Sequence, residues 1–71
     1  MDLTNKQIKI TMTGVGHNPP HTIVDVDVMT VLADGVREKF GSYELTFNDM
    51  TSSGPDDPAL LAAITERLEA I

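Results

Sequence analysis

Apolar and polar residues alternate with a period of two in three separate stretches of the chain, and with a helical period in a fourth. In the first stretch Ile8, Ile10 and Met12 fall on one side, with Gln7, Lys9, Thr11 and Thr13 on the other. Such alternation over β-branched residues is the mark of a half-buried strand. In the second, Val24, Val26 and Val28 share a face opposed by Asp25 and Asp27, and in the third Tyr43, Leu45 and Phe47 alternate with polar neighbours. The fourth carries Leu61, Ile64, Leu68 and Ile71 at helical spacing, supported by Ala59, Ala62 and Ala63. Asp57 suits an N-cap and Pro58 the first helical position, where a missing N–H is no loss. Asp56 and Asp57 also suit the positive end of the helix dipole.

These patterns predict strands near residues 6–13, 22–32 and 36–48 and a helix near 58–71. Gly14 to His21, with two glycines and the Pro19-Pro20 pair, reads as a loop, as does the Ser-, Asp- and Pro-rich stretch from Asn48 to Pro58. Asp34-Gly35 reads as a two-residue type I′ turn, in which both central residues need φ > 0. Such a turn pairs Val26 with Tyr43, Val24 with Leu45 and Thr22 with Phe47, so turn chemistry and both apolar patterns agree. A slip of one residue would turn all three partners to the wrong side. A rival exists: Leu32, Val36 and Phe40 also fit a helical stripe, with Gly41 at its end. That helix would carry Gly35 in its interior, at a cost of about 1 kcal/mol relative to Ala, so the hairpin takes precedence.

The expected fold class is therefore α+β, a three-stranded antiparallel sheet (β-β-β) with one C-terminal helix packed on one face, in a single small domain over residues 1–71. The expected core is Ile8, Ile10, Met12, Val24, Val26, Val28, Tyr43, Leu45, Phe47, Leu61, Ile64, Leu68 and Ile71.

Composition narrows the function. The chain has 71 residues and no cysteine, so disulfides and thiolate zinc sites are excluded and the core is thin. Domains of this size commonly gain stability by self-association. Eleven acidic against five basic residues give a net charge of −6, and no basic stripe exists to bind a phosphate backbone. No apolar run approaches a membrane span, and the start Met-Asp-Leu-Thr-Asn lacks a secretory leader. A cytoplasmic location is expected.

Candidate chemistry is sparse. His17 and His21 are the only histidines; a metal gripped by residues four apart is usually held from one helix face, and here two prolines intervene. Gly14-Val15-Gly16 lacks the third glycine and the following helix of a dinucleotide fingerprint. Ser52 and Ser53 lack the flanking glycines of a nucleophile elbow. Asp25, Asp27 and Glu44 gather on one sheet face, where they could hold a cation or form a wet surface; like charges directly opposite each other are destabilising. No catalytic residue, metal ligand or cofactor is expected.

The face away from the helix carries the remaining signal. The same turn sets Met29 opposite Phe40 and Val31 opposite Glu38, with Ile23 farther along. A lone helix covers one face only, so Ile23, Met29, Val31 and Phe40 form an expected interface, either exposed or shielded by the Gly14–His21 loop. The expected function is a non-enzymatic interaction or assembly module, partnered by another protein or by itself as a homo-oligomer. The alternative is an acidic decoy that occupies the basic groove of a nucleic-acid-binding protein. An enzyme built on His17 and His21 comes last, because a 71-residue chain offers no deep pocket of its own.

Overall fold

The structure is a computed structural model describing residues 1–71. It contains β1 (Lys6–His17), β2 (Pro20–Val31), β3 (Arg37–Phe47) and α1 (Pro58–Glu69). The strands form one antiparallel sheet in the order β1-β2-β3, and α1 covers part of one face, as an α+β domain requires. Val24, Val26 and Val28 of the central strand are fully buried, joined by Leu45, Phe47, Leu60, Ile64 and Leu68. Asp57 caps the helix, its side chain accepting from the Ala59 N–H at 2.9 Å, with Pro58 in the first turn.

The helix face differs from the expected one at two positions. Leu60, not Leu61, is fully buried, Leu61 is half-buried, and Ile71 lies beyond the helix and is exposed. Leu60, Ile64 and Leu68 recur at four-residue spacing along one side of the helix and cluster with the buried valines of β2. Met1, Leu3 and Met50 close the margins of the core. The Met1 ammonium donates to the carbonyls of Glu69 and Ile71 at 2.9 and 3.0 Å, a favourable place for a cation at a helix C-terminus.

Both hairpins correct the sequence reading in detail. Gly14 to His21 is not an open loop: the ladder continues through Gly16↔His21 to His17↔Pro20, with only Asn18 and Pro19 at the tip. The prolines fit because one occupies the turn and the other begins a strand, positions where neither interrupts pairing. The Asn18–Pro19 peptide is cis. One extra residue, Thr13, is accommodated as a bulge between Met12 and Gly14.

In the second hairpin the turn has three residues, Ala33 to Gly35. The Gly35 N–H donates to the Leu32 carbonyl at 2.9 Å, and the Leu32 N–H to the Val36 carbonyl at 2.8 Å. Gly35 alone in this turn has positive φ, at 84°, so it is a tight turn closed by a left-handed glycine and not the two-residue I′ form. The helical alternative for this segment is excluded. The longer turn shifts the pairing near the tip, giving Met29↔Lys39 and Val31↔Arg37 in place of the expected Met29–Phe40 and Val31–Glu38. A bulge at Phe40 restores the expected register, and from Val28↔Gly41 onward Val26 faces Tyr43, Val24 faces Leu45 and Thr22 faces Phe47. Two one-residue departures cancel.

Candidate interaction surfaces

Strand length decides what the helix leaves bare. A 12-residue helix extends roughly 18 Å, whereas strands of 12 residues run to about 40 Å. The molecule measures 45 × 20 × 18 Å, so the sheet outruns its cover at both ends.

At one end the loop after β3 takes over. Thr22 is fully buried; its hydroxyl donates to the Met50 carbonyl and accepts from the Ser52 N–H, both at 3.0 Å. The Thr51 hydroxyl donates to the Gly16 carbonyl. Ser52 is buried too, its hydroxyl within 3.0 Å of the Gly54 carbonyl and 3.1 Å of Asp57 Oδ2, which also accepts from the Ser53 N–H at 3.2 Å. These backbone donors, Ser53 first and then Ala59, hold the Asp57 carboxyl below its ordinary pKa of 3.8. Ser52 and Ser53 thus serve as anchors for the helix start, and the hydroxyl of Ser52 is engaged within the loop.

At the other end neither a loop nor the helix covers the hairpin. Leu32, Val36 and Phe40 are 41%, 54% and 51% exposed. Strand alternation puts Leu32 and Val36 on the side of Thr30 and Glu38, which continues the helix-side face. Phe40 joins them because both residues of its bulge oppose Val28; Lys6 Nζ sits 4.8 Å from the centre of its ring, and Lys6 is two positions from Ile8, which packs against the core from the helix side. The bulge therefore aims Phe40 at the helix-side face and removes it from the outer face where Met29 and Val31 lie. At the second bulge position, Gly41, a Cβ would meet Tyr43 Oη at 2.9 Å, so glycine there lets the tyrosine ring lie flat across the strand.

The outer face is thus apolar at its ends and acidic in the middle. Ile23, Met29 and Val31 are each half-buried. Between them run two rows across the sheet, Lys9–Asp27–Ser42 and Thr11–Asp25–Glu44. The first row is balanced, and the Ser42 hydroxyl donates to Asp27 Oδ1 at 2.6 Å. The second sets two carboxylates side by side with no cation in the row. The Gly14–His21 segment does not fold over this face, being part of the ladder.

His17 and His21 occupy adjacent rungs of the tip, Pro20 and Gly16 opposite them, and so point to opposite faces. His21 Nδ1 lies 2.9 Å from the Pro19 carbonyl. A shallow groove between β3 and α1 is lined by Phe47, Met50, Ala63 and Arg67, with Asp49 and Glu66 at its rim. Arg67 closes over it, stacked 4.6 Å from the Phe47 ring centre and donating to the Thr46 carbonyl at 3.3 Å. No helix is long and apolar enough to cross a membrane.

The surface at the hairpin end was only partly legible in the residues. Leu32, Val36 and Phe40 stand out as a stripe, but the bulge that gathers them on one face has no sequence signal beyond Gly41. Compared with family models, curated proteins and solved structures, the chain returns no match.

Proposed function

We propose that the protein is a small non-enzymatic assembly module that associates through apolar sheet surface beyond the reach of its helix. The observation that carries this reading is the hairpin end, where three large apolar side chains of one face are about half exposed. Large apolar side chains left exposed together on one face are a mark of interaction sites. Two strand edges without partners add a second route to association.

Sedimentation of the wild type and of Phe40→Glu, at low and high salt, tests it. An apolar contact persists in high salt, and a carboxylate at its centre must be desolvated without a partner. The largest species of the wild type should persist in high salt and be missing from Phe40→Glu, whose thermal melt stays unchanged. A variant that forms the same species as the wild type removes the hairpin end from consideration. Association that instead dissolves in high salt would favour the acidic-decoy reading, for which the Asp25–Glu44 row is the supporting feature.

A further inference from the structure

We propose that two copies of the chain pair antiparallel through β1, with the two Ile10 residues facing each other, and so form a continuous six-stranded sheet. The inference rests on the reading of the chain as an assembly module but uses a different surface from the hairpin end, and it names the partner as a second copy.

Three observations converge on this edge. The first is uneven cover. Leu45 and Phe47 of β3 are 6% and 5% exposed and Tyr43 is half-buried, while Ile8, Ile10 and Met12 of β1 are all only half-buried, although their direct partners Val28, Val26 and Val24 are completely enclosed. The helix is tied to β3 through Arg67, which leaves the apolar row of β1 partly bare.

The second is the direction of the backbone. The Val31 N–H donates to the Asn5 carbonyl at 2.8 Å, one step beyond the Lys6↔Thr30 pair. Alternation from that bond turns the N–H and C=O groups of Gln7, Lys9 and Thr11 toward β2, and those of Ile8, Ile10 and Met12 toward the open edge. The same three residues thus present both bare apolar side chains and free backbone groups. Centred on Ile10, a two-fold matches Ile8 with Met12 of the second copy and Ile10 with itself, giving about six backbone hydrogen bonds. This segment ends before the Thr13 bulge, so the pairing stretch is regular.

The third is charge. In this register Lys9 stands opposite Thr11 of the second copy, which places its ammonium at the end of the Thr11–Asp25–Glu44 row. That row holds two adjacent carboxylates and no cation of its own. Pairing therefore gives each copy's uncompensated row a lysine from the other, while a register centred on Lys9 would oppose like charges. The β3 edge offers no such match, because its regular stretch from Gly41 to Phe47 carries Glu44 and no lysine or arginine, so pairing there brings no cation to the Asp25–Glu44 row.

The test uses the full chain as the wild type, Lys9→Glu, Lys9→Glu with Asp25→Lys, Ile10→Cys, a Glu66→Cys control and Phe40→Glu. Sedimentation equilibrium should show a monomer–dimer step in the wild type whose dissociation constant rises about tenfold or more in Lys9→Glu and recovers when Asp25→Lys is added. Because the chain has no cysteine, mild oxidation of Ile10→Cys should link two chains through that one position, whereas a Glu66→Cys control on the helix should not. In the unmutated protein the amide hydrogens of Ile8, Ile10 and Met12 should exchange slowly when concentrated and rapidly on dilution. A dimer with none of these responses, or a chain monomeric at every concentration, overturns the pairing. Phe40→Glu separates this from the broader reading. If it stops at the dimer, both stand; if it is monomeric, the β1 pairing falls and the hairpin-end contact remains; if wild type and variant form identical dimers, the reverse holds.

Discussion

The two ends of the sheet are opposites. Where the Asn48–Asp57 loop crosses, polar groups are buried: Thr22 and Ser52 are enclosed and bonded to the backbone around them. Where the Ala33–Gly35 turn projects, apolar groups are exposed. The difference follows from cover, because a loop returning over a sheet brings backbone donors and acceptors that need partners in the protein. A hairpin that outruns its helix brings none, and its alternation simply continues into water. Polarity thus reports burial poorly in a domain this thin, and what passes overhead decides it.

Substitutions at the two ends should therefore act in different ways. The largest effect is expected at the closed end. Thr22→Val keeps the shape but strands the Met50 carbonyl and the Ser52 N–H, and each unsatisfied buried group costs about 1–3 kcal/mol. Urea denaturation should show that loss; a midpoint within error of the wild type would mean that water replaces both bonds. Next comes the turn itself. No atom lies within 4 Å of a Cβ built on Gly35, so Gly35→Val is penalised by backbone conformation alone, by about 1–2 kcal/mol. A loss under about 0.5 kcal/mol, the range of neutral surface changes, would contradict the left-handed glycine.

A smaller, pH-dependent effect belongs to Asp57. Its folded pKa is depressed below 3.8 by donated backbone hydrogen bonds, so its contribution is complete above the unfolded value and disappears as pH falls through the folded one. Asp57→Ala should lower the melting temperature at neutral pH, and the gap to the wild type should close in strong acid. A gap that stays constant down to acid would assign the loss to packing instead. The smallest effect on stability is expected at the open end, where Phe40→Glu should shift the melt by less than about 0.5 kcal/mol while changing association. If it unfolds the chain, Phe40 is core and the contrast between the ends is lost.

Alternation made the three strands legible and the capping pair Asp57-Pro58 made the helix start legible, because each is a local property of the residues concerned. The deeper pairing of Val24 and Val26 was legible for a less direct reason, since an unrecognised turn residue and an unrecognised bulge offset each other. Pro19 and Pro20 concealed the first hairpin tip: the same residues punctuate open loops and tight turns, and only the pairing of Gly16 with His21 tells them apart. The Leu60-Leu61 doublet fits either of two helix faces, and contact with the valines chooses. Thr22 and Ser52 as buried anchors had no signal, because their partners are backbone groups distant in the chain. The candidate surface was half legible for the same reason, with Ile23, Met29 and Val31 assigned to the outer face and Phe40 carried to the other by its bulge.

That bulge makes Phe40 supernumerary. Lys39 already pairs with Met29 and Gly41 with Val28, so the rungs on either side of Phe40 are occupied without it. Excising this one residue should heal the ladder, leaving each remaining partnership intact, where excision of a residue deep in the regular stretch would put its neighbours out of register. The position behaves as an inserted letter in a text that still reads correctly when it is struck out. Its deletion would remove an aromatic ring from the hairpin end without adding charge and without moving the frame that the core depends on.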